Sequence, residues 1–244
     1  MPGLKREAAC GLALARHPLQ GNIAALMVQH ERKTGALVWV GLGLTCAILL
    51  TAFILATYRL YRNAGPPVPV YGQVEPFTLT NQLGAPVTLE DLRGHVWVAD
   101  IIFTRCAGPC LRMTKRMHEL QQALPLSSQT KLVSLTTDPD FDTPEVLRQY
   151  ARRFDADTNR WTFLTGTKGQ IASLAIGSLK LTIVEKSPEE RTSPEDLFIH
   201  STIFVIVDRQ GRLRGIFETE ADGDEQADFL SRVLPVIRQL ERET

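Results

Sequence analysis

The chain has 244 residues, with 27 basic against 27 acidic side chains, so it carries no net charge and no electrostatic footprint for nucleic acid. Its apolar and charged fractions, 44% and 22%, are ordinary for a globular protein, and the length leaves room for one or two domains. Four cysteines are too few for a disulfide-built scaffold.

Residues 1–35 show no strong periodicity and read as a tail. Met27 precedes VQHERKTG and an apolar run, so the first 26 residues are either an extended start or disordered. Residues 36–58 carry no charge. A helix of that length, at ~1.5 Å per residue, covers the ~30 Å hydrocarbon core with some tilt. Trp39 near one end and Tyr58 and Tyr61 at the other form an aromatic belt. The run exceeds the ~7–15 apolar residues of a signal peptide and is followed by no A-x-A cleavage site, so it reads as an uncleaved anchor. Lys5, Arg6, Arg16, Arg32 and Lys33 precede it, against Arg59 and Arg62 after it. The positive-inside bias therefore predicts a cytoplasmic N-terminus and a C-terminal part outside. Cys10 and Cys46 then fall on the wrong side of the membrane and within it.

NAGPPVPVYGQV reads as a stiff, extended spacer, which gives a linker over 59–72. PFTLTNQLGAPVTLEDL alternates around Gly84 and predicts a β-hairpin. VWVADIIF is a buried strand, and it runs into FTRCAGPCLRM, where Cys106 and Cys110 stand four residues apart at a strand-to-helix junction. Pro109 suits the first helical position, which places Cys110 in the first turn. There the helix dipole and the nearby Arg112 predict a stabilised thiolate, with Cys106 on the loop titrating higher. Two thiols so close can bind a soft metal or close a disulfide; two buried cysteines packed as small hydrophobes are the plain alternative.

KLVSLTT is the next strand, ended by Asp138-Pro139. Thr143 and Pro144 are the N-cap and first residue of a helix with Val146, Leu147, Tyr150 and Phe154 on its apolar face. WTFLTG is a strand, KGQIASLAIGSLK a helix, and EKSPEERTSPED a surface loop. STIFVIVD is a strand, DRQG a turn and LRGIFE the hairpin partner. DEQADFLSRVLPVIRQL is a closing amphipathic helix with Pro235 as a kink. Strands alternating with helices, then a hairpin and helix, predict an α/β fold with a mixed central sheet. A dithiol at the mouth of its first long strand makes a thioredoxin-like domain over 73–244 the expected architecture, preceded by the transmembrane helix.

Several stretches together resemble the Sco/SenC family, membrane-anchored copper proteins of cytochrome c oxidase assembly. These are FTRCAGPC, VSLTTDPDFDTPEVLRQYARRF, IHSTIFVIVDRQGRLRG and the FTL…V-x-L-x-D-L-R-G opening, in that family's order once the opening is placed first, from about Val70 to Leu240. The resemblance implies copper, as Cu(I) or Cu(II), with Cys106, Cys110 and His200 as its ligands. It also implies a periplasmic domain on a single-pass anchor in the cytoplasmic membrane. The implied partners are the CuA subunit of cytochrome c oxidase and other copper chaperones. By itself His200 is a lone histidine ahead of an apolar strand; His95 and His118 match no ligand position. Asp138 is expected at a strand end facing the dithiol, either orienting His200 or binding the metal's outer shell, or capping its own turn. The chain departs from many members, which carry Pro after each cysteine: Ala107 and Leu111 stand there, and the proline is Pro109.

Three functions of different classes are compatible with these residues. One is a metallochaperone delivering copper to the CuA site. The second is a thiol–disulfide oxidoreductase acting on the apo-oxidase or another envelope protein through Cys106 and Cys110. The third is a copper or redox sensor. The C-x-x-x-C spacing, with His200-Ser201-Thr202 where general reductases carry a cis-proline, favours copper.

Overall fold

The computed structural model describes residues 38–59, 66–106, 108–191, 197–218 and 225–243, and leaves out the side chains of His200 and of residues 225–228. The expected tail 1–35, Cys10, Tyr61, Arg62, Ala107 and part of the charged loop (192–196) lie outside the described residues. The chain divides into two units, 1–64 and 65–244.

In the first unit, α1 (Val38–Arg59) is long and apolar enough to cross a bilayer. Its few hydroxyls find partners along the helix itself: Thr45, Thr51 and Thr57 donate to the carbonyls of Leu42, Ile48 and Ile54 at 2.8, 2.8 and 2.9 Å. No polar side-chain group of these threonines needs water, as a hydrocarbon surround requires.

The second unit begins with β1 (Gly72–Gln73), the hairpin β2 (Thr78–Asn81) and β3 (Pro86–Thr88), and the short α2 (Leu89–Leu92). Then β4 (Trp97–Ile102), α3 (Pro109–Ala123), β5 (Lys131–Thr136), α4 (Pro144–Arg153) and β6 (Trp161–Thr165) alternate, followed by α5 (Lys168–Ala172). The remaining elements are β7 (Ile183–Glu185), β8 (Phe198–His200), β9 (Ile203–Val207), β10 (Arg212–Glu218) and α6 (Glu225–Arg242), which carries Pro235 inside it.

Eight strands form one mixed sheet in the order β1-β10-β9-β4-β5-β6-β2-β3, with β4, β5 and β6 parallel and the flanking pairs antiparallel. The expected mixed α/β sheet is thus present. Every residue of β4 is buried, because helices cover both of its faces. Val98 and Ile102 join the core under α3, α4 and α6, while Trp97, Ala99 and Ile101 join the core on the α5 side. The alternation is that of a pleated strand.

Local signals account for the element ends. Thr143 Oγ1 accepts from Val146 N at the head of α4, with Pro144 in the first turn. At the β9–β10 turn, Gly211 has φ +79°, a conformation that favours glycine. Asp208 Oδ1 accepts from Gln210 N at 3.0 Å and Arg212 N at 2.9 Å, which closes that turn.

Three elements differ from the sequence reading. The helix expected over KGQIASLAIGSLK is α-helical only to Ala172 and passes into a π-helical turn at Ser173–Ser178, so that Leu174, Ala175 and Leu179 all reach the core. The strand before β9 is separate: β8 leaves the main sheet and pairs with β7, with Ile183 opposite His200 and Glu185 opposite Phe198. Finally, part of the expected spacer packs on the domain. Tyr71 N donates to Leu213 O at 2.8 Å, and Arg214 donates to the carbonyls of Val68 and Pro69 at 2.7 and 3.1 Å.

Candidate metal and thiol site

The site lies beyond the C-terminal ends of β4 and β5, where a parallel sheet opens a crevice. The chain leaves β4 at Ile102, turns through Phe103–Cys106 and enters α3 at Pro109, with Gly108 as N-cap. Cys106 N donates to Phe103 O at 3.2 Å, which folds the loop back on the strand. Cys110, in the first turn of α3 as expected, is fully buried, and Phe103 N donates to its sulfur at 3.4 Å. Cys106 is half-buried, and both residues are thiols rather than a disulfide.

The expected stabilisation of the Cys110 thiolate is not found. Burial pushes its pKa well above the ordinary thiol value, and the hydrogen bond to Cys106 raises it further. A helix terminus contributes at most ~2 kcal/mol in favour of charge. Full burial opposes charge by up to ~3–5 pKa units, several kcal/mol. Desolvation wins, and metal-free Cys110 is a neutral thiol.

Besides Asp138, two buried acids stand around the loop. Asp100, on β4, accepts from Ser134 Oγ at 2.6 Å, and that hydroxyl accepts from Trp161 Nε1 at 3.0 Å. Its charge contributes to raising Cys110 and also Tyr150, whose phenol burial pushes up. Asp142 accepts from Thr104 N at 3.1 Å and from the hydroxyls of Thr104 and Thr136. Burial pushes its carboxyl up, against the pull of those hydrogen bonds. Neither acid was singled out in the sequence, although an aspartate inside the apolar run VWVADIIF was a usable signal.

Asp138 does face the dithiol loop, where it pairs with Arg105. The guanidinium also lies 4.1 Å over the Phe141 ring. The same residue closes its own turn: Asp138 O accepts from Asp142 N at 2.8 Å and Phe141 N at 3.1 Å. The turn-closing role is present, and the carboxylate pairs with Arg105; orientation of His200 involves a side chain outside the described residues.

His200 ends β8. Phe198, two residues earlier, packs edge-on against Phe103 with ring centroids 5.3 Å apart, which brings the β8 backbone beside the dithiol loop. Ser201 N and Thr182 O, 3.1 Å apart, hold the strand's exit. His95 sits elsewhere, with Nδ1 3.1 Å from Gln129 O, and His118 lies on α3 beside Lys115 and Arg153. Among the described residues no three His, Cys, Asp or Glu side chains cluster as a metal site, and the side chain of His200, the expected third ligand, lies outside them.

The family model described as SCO1/SenC matches residues 70–235. The SCO1 protein homolog of Bacillus subtilis is 37% identical over 147 residues, which are 59% of this chain and 73% of that protein. BsSco, a member of the Sco family of cytochrome c oxidase assembly proteins in which a disulfide switch was identified, superposes with a TM-score of 0.57 at 32% identity, covering 70% of this chain and 98% of that one. Bradyrhizobium japonicum ScoI, solved with copper bound, shares the fold with a TM-score of 0.54 at 24% identity, covering 66% and 98%.

Proposed function

The chain belongs to the SCO1/SenC family, and on that premise we propose that it is a membrane-anchored copper-binding protein of cytochrome c oxidase assembly. Copper is its cargo, held by Cys106, Cys110 and His200 and destined for the CuA site. Residues 36–58 anchor it in the cytoplasmic membrane with the tail 1–35 inside. The linker, expected over 59–72 and packed on the domain along part of its length, carries the domain on the periplasmic side, where it meets the CuA subunit and other copper chaperones.

The observation that supports the reading is the Phe103–Phe198 contact, which sets β8, the strand that ends in His200, against the residue that opens the dithiol loop. Two thiolates are soft donors suited to Cu(I), and an imidazole adds the nitrogen donor that Cu(II) prefers. Cys110 is neutral without metal, so loading releases thiol protons, and copper affinity rises with pH.

The test is copper binding by the full chain in detergent, in both oxidation states. Cys106→Ser and Cys110→Ser should lose both. His200→Ala should weaken Cu(II) at least about tenfold and Cu(I) by a smaller factor. A His200→Ala variant that binds Cu(II) like the wild type sinks the reading.

A second reading rests on the unequal burial of the two thiols. Cys106 is the accessible one, with Cys110 buried behind it. As an oxidoreductase, the Cys106 thiolate attacks a partner disulfide and forms a mixed disulfide while one partner thiolate leaves. Cys110 then gives up its proton and displaces the second partner thiol, leaving a Cys106–Cys110 disulfide. Reduction of a model disulfide that persists in His200→Ala favours this chemistry.

A further inference from the structure

The loop 138–142, between β5 and α4, touches the dithiol half of the proposed copper site and reaches the β7–β8 half through Lys168. On one side it holds the dithiol loop: Asp138 pairs with Arg105, Phe141 lies under the same guanidinium, and Asp142 accepts from Thr104 N and its hydroxyl. On the other side Asp140 meets Lys168 Nζ at 3.2 Å, and the same ammonium reaches Glu185 at 3.3 Å. Glu185 belongs to β7, the strand that carries β8, with Glu185 opposite Phe198 and Ile183 opposite His200. Lys168 is the first residue of α5, fixed there by a capping box at Thr167 and Gln170. A line of contacts therefore runs from the neighbours of Cys106, through one loop and one lysine, to the ribbon that ends in His200.

We propose that this loop is a strut between the dithiol and the β7–β8 ribbon, and that Lys168 is a positioning residue setting where His200 stands relative to the two cysteines. The proposal rests on the copper reading given above. Lys168, Asp140 and Glu185 have side chains 53%, 77% and 53% exposed, so their ion pairs contribute little to global stability and are screened by salt. A two-stranded ribbon, by contrast, is marginal on its own and sensitive to small lateral contacts. Weak, screened pairs are thus sufficient to bias where the ribbon sits without deciding whether the domain folds.

The test compares wild type, Lys168→Ala, Lys168→Arg and His200→Ala as full chains in detergent. In the metal-free protein, amide hydrogen exchange at the ribbon positions Lys186 and Ser201 should be faster in Lys168→Ala by about twofold to fivefold at low salt, and this difference should shrink at high salt. Cu(II) affinity should fall by a similar factor, Cu(I) affinity should stay within about twofold, and Lys168→Arg should restore both readouts. The melting temperature should not move. Lys168→Ala with wild-type exchange and wild-type Cu(II) affinity overturns the strut. So does an equal loss for both oxidation states with a lowered melting temperature, which marks a general structural role. If His200→Ala keeps full Cu(II) affinity, the copper reading falls and the strut's purpose falls with it; a silent Lys168→Ala beside a defective His200→Ala removes the strut alone.

Discussion

Where β9 turns into β10, buried charge is matched by opposite charge. Arg214, only 4% exposed, donates to Asp208 and Glu243 and to the carbonyls of Val68 and Pro69. At the other end of β4, Asp142 is fully buried among two threonine hydroxyls and an amide, and Cys110 is fully buried under the same loop. Burial opposes charge at Asp208 as well, but the hydrogen bonds of Arg214 and Arg212 hold its carboxyl below the usual carboxylate range. At Asp142 and Cys110 burial prevails, and both groups are pushed up. One end is organised for a stable charged state, whereas the other keeps ionisable groups away from theirs, the arrangement found where protons or metals are exchanged.

The largest expected effect is at the matched end. Arg214→Ala removes the buried cation between Asp208 and Glu243, leaves Asp208 with the half-exposed Arg212 alone, and frees the carbonyls of Val68 and Pro69. Removing one partner of a buried ion pair costs about 3–5 kcal/mol. Urea unfolding of the full chain should show this loss, and a change below about 1 kcal/mol would mean that water already screens the cluster.

Next in size is thiol reactivity at the unmatched end. With Cys106→Ser leaving Cys110 as the only thiol of the pair, alkylation should be slower than for the lone Cys106 of Cys110→Ser by about a hundredfold or more, since reaction needs both access and ionisation. Cys46 and Cys10 are replaced by serine in both proteins. Equal rates, measured at neutral pH, would show that the α3 terminus opens readily.

The smallest effect, and the most direct contrast between the ends, is the sign of two pH dependences. Asp208 has a depressed folded pKa, so its stabilisation is present above the unfolded value of ~3.9 and is lost as pH falls through the folded one. Asp142 has a raised folded pKa, so the fold favours its protonated form, and stability declines as pH rises from ~3.9 through the folded value. Asp208→Asn should remove the first slope and Asp142→Asn the second. Each contributes up to about 1.4 kcal/mol for every tenfold difference between the folded and unfolded acid constants. The contrast is abolished if the two variants change the slope in the same direction.

Much of the site was legible because its signals are local. Pro109 in the first turn of α3, Thr143 capping α4 and Gly211 in the β9–β10 turn each depend on a few neighbouring residues. The run VWVADIIF announced a strand buried on both faces, and the resemblance placed the chain in its family from motifs alone. The β7–β8 ribbon was not legible, since strands of three residues joined by a long loop have no periodicity to read. The partner of Asp138 was also unreadable: Arg105 lies 33 residues away and meets it only through the parallel pairing of β4 with β5.

The sequence by itself determined the apolar helix, the order of strands and helices, and the position of two cysteines at a strand-to-helix corner, because backbone propensity and side-chain periodicity act over a few residues. Only the tertiary structure decided the protonation of Cys110. The local dipole favours a thiolate there, but Cys110 is fully buried in the core cluster that residues of α4, β6 and β8 also join, and burial removes the water that charge requires. The same long-range packing made Lys168, an ordinary surface lysine in sequence, the link between Asp140 and Glu185. Electrostatic consequences follow from burial, and burial is a property of the assembled sheet and helices, which a residue's own neighbours in the chain do not specify.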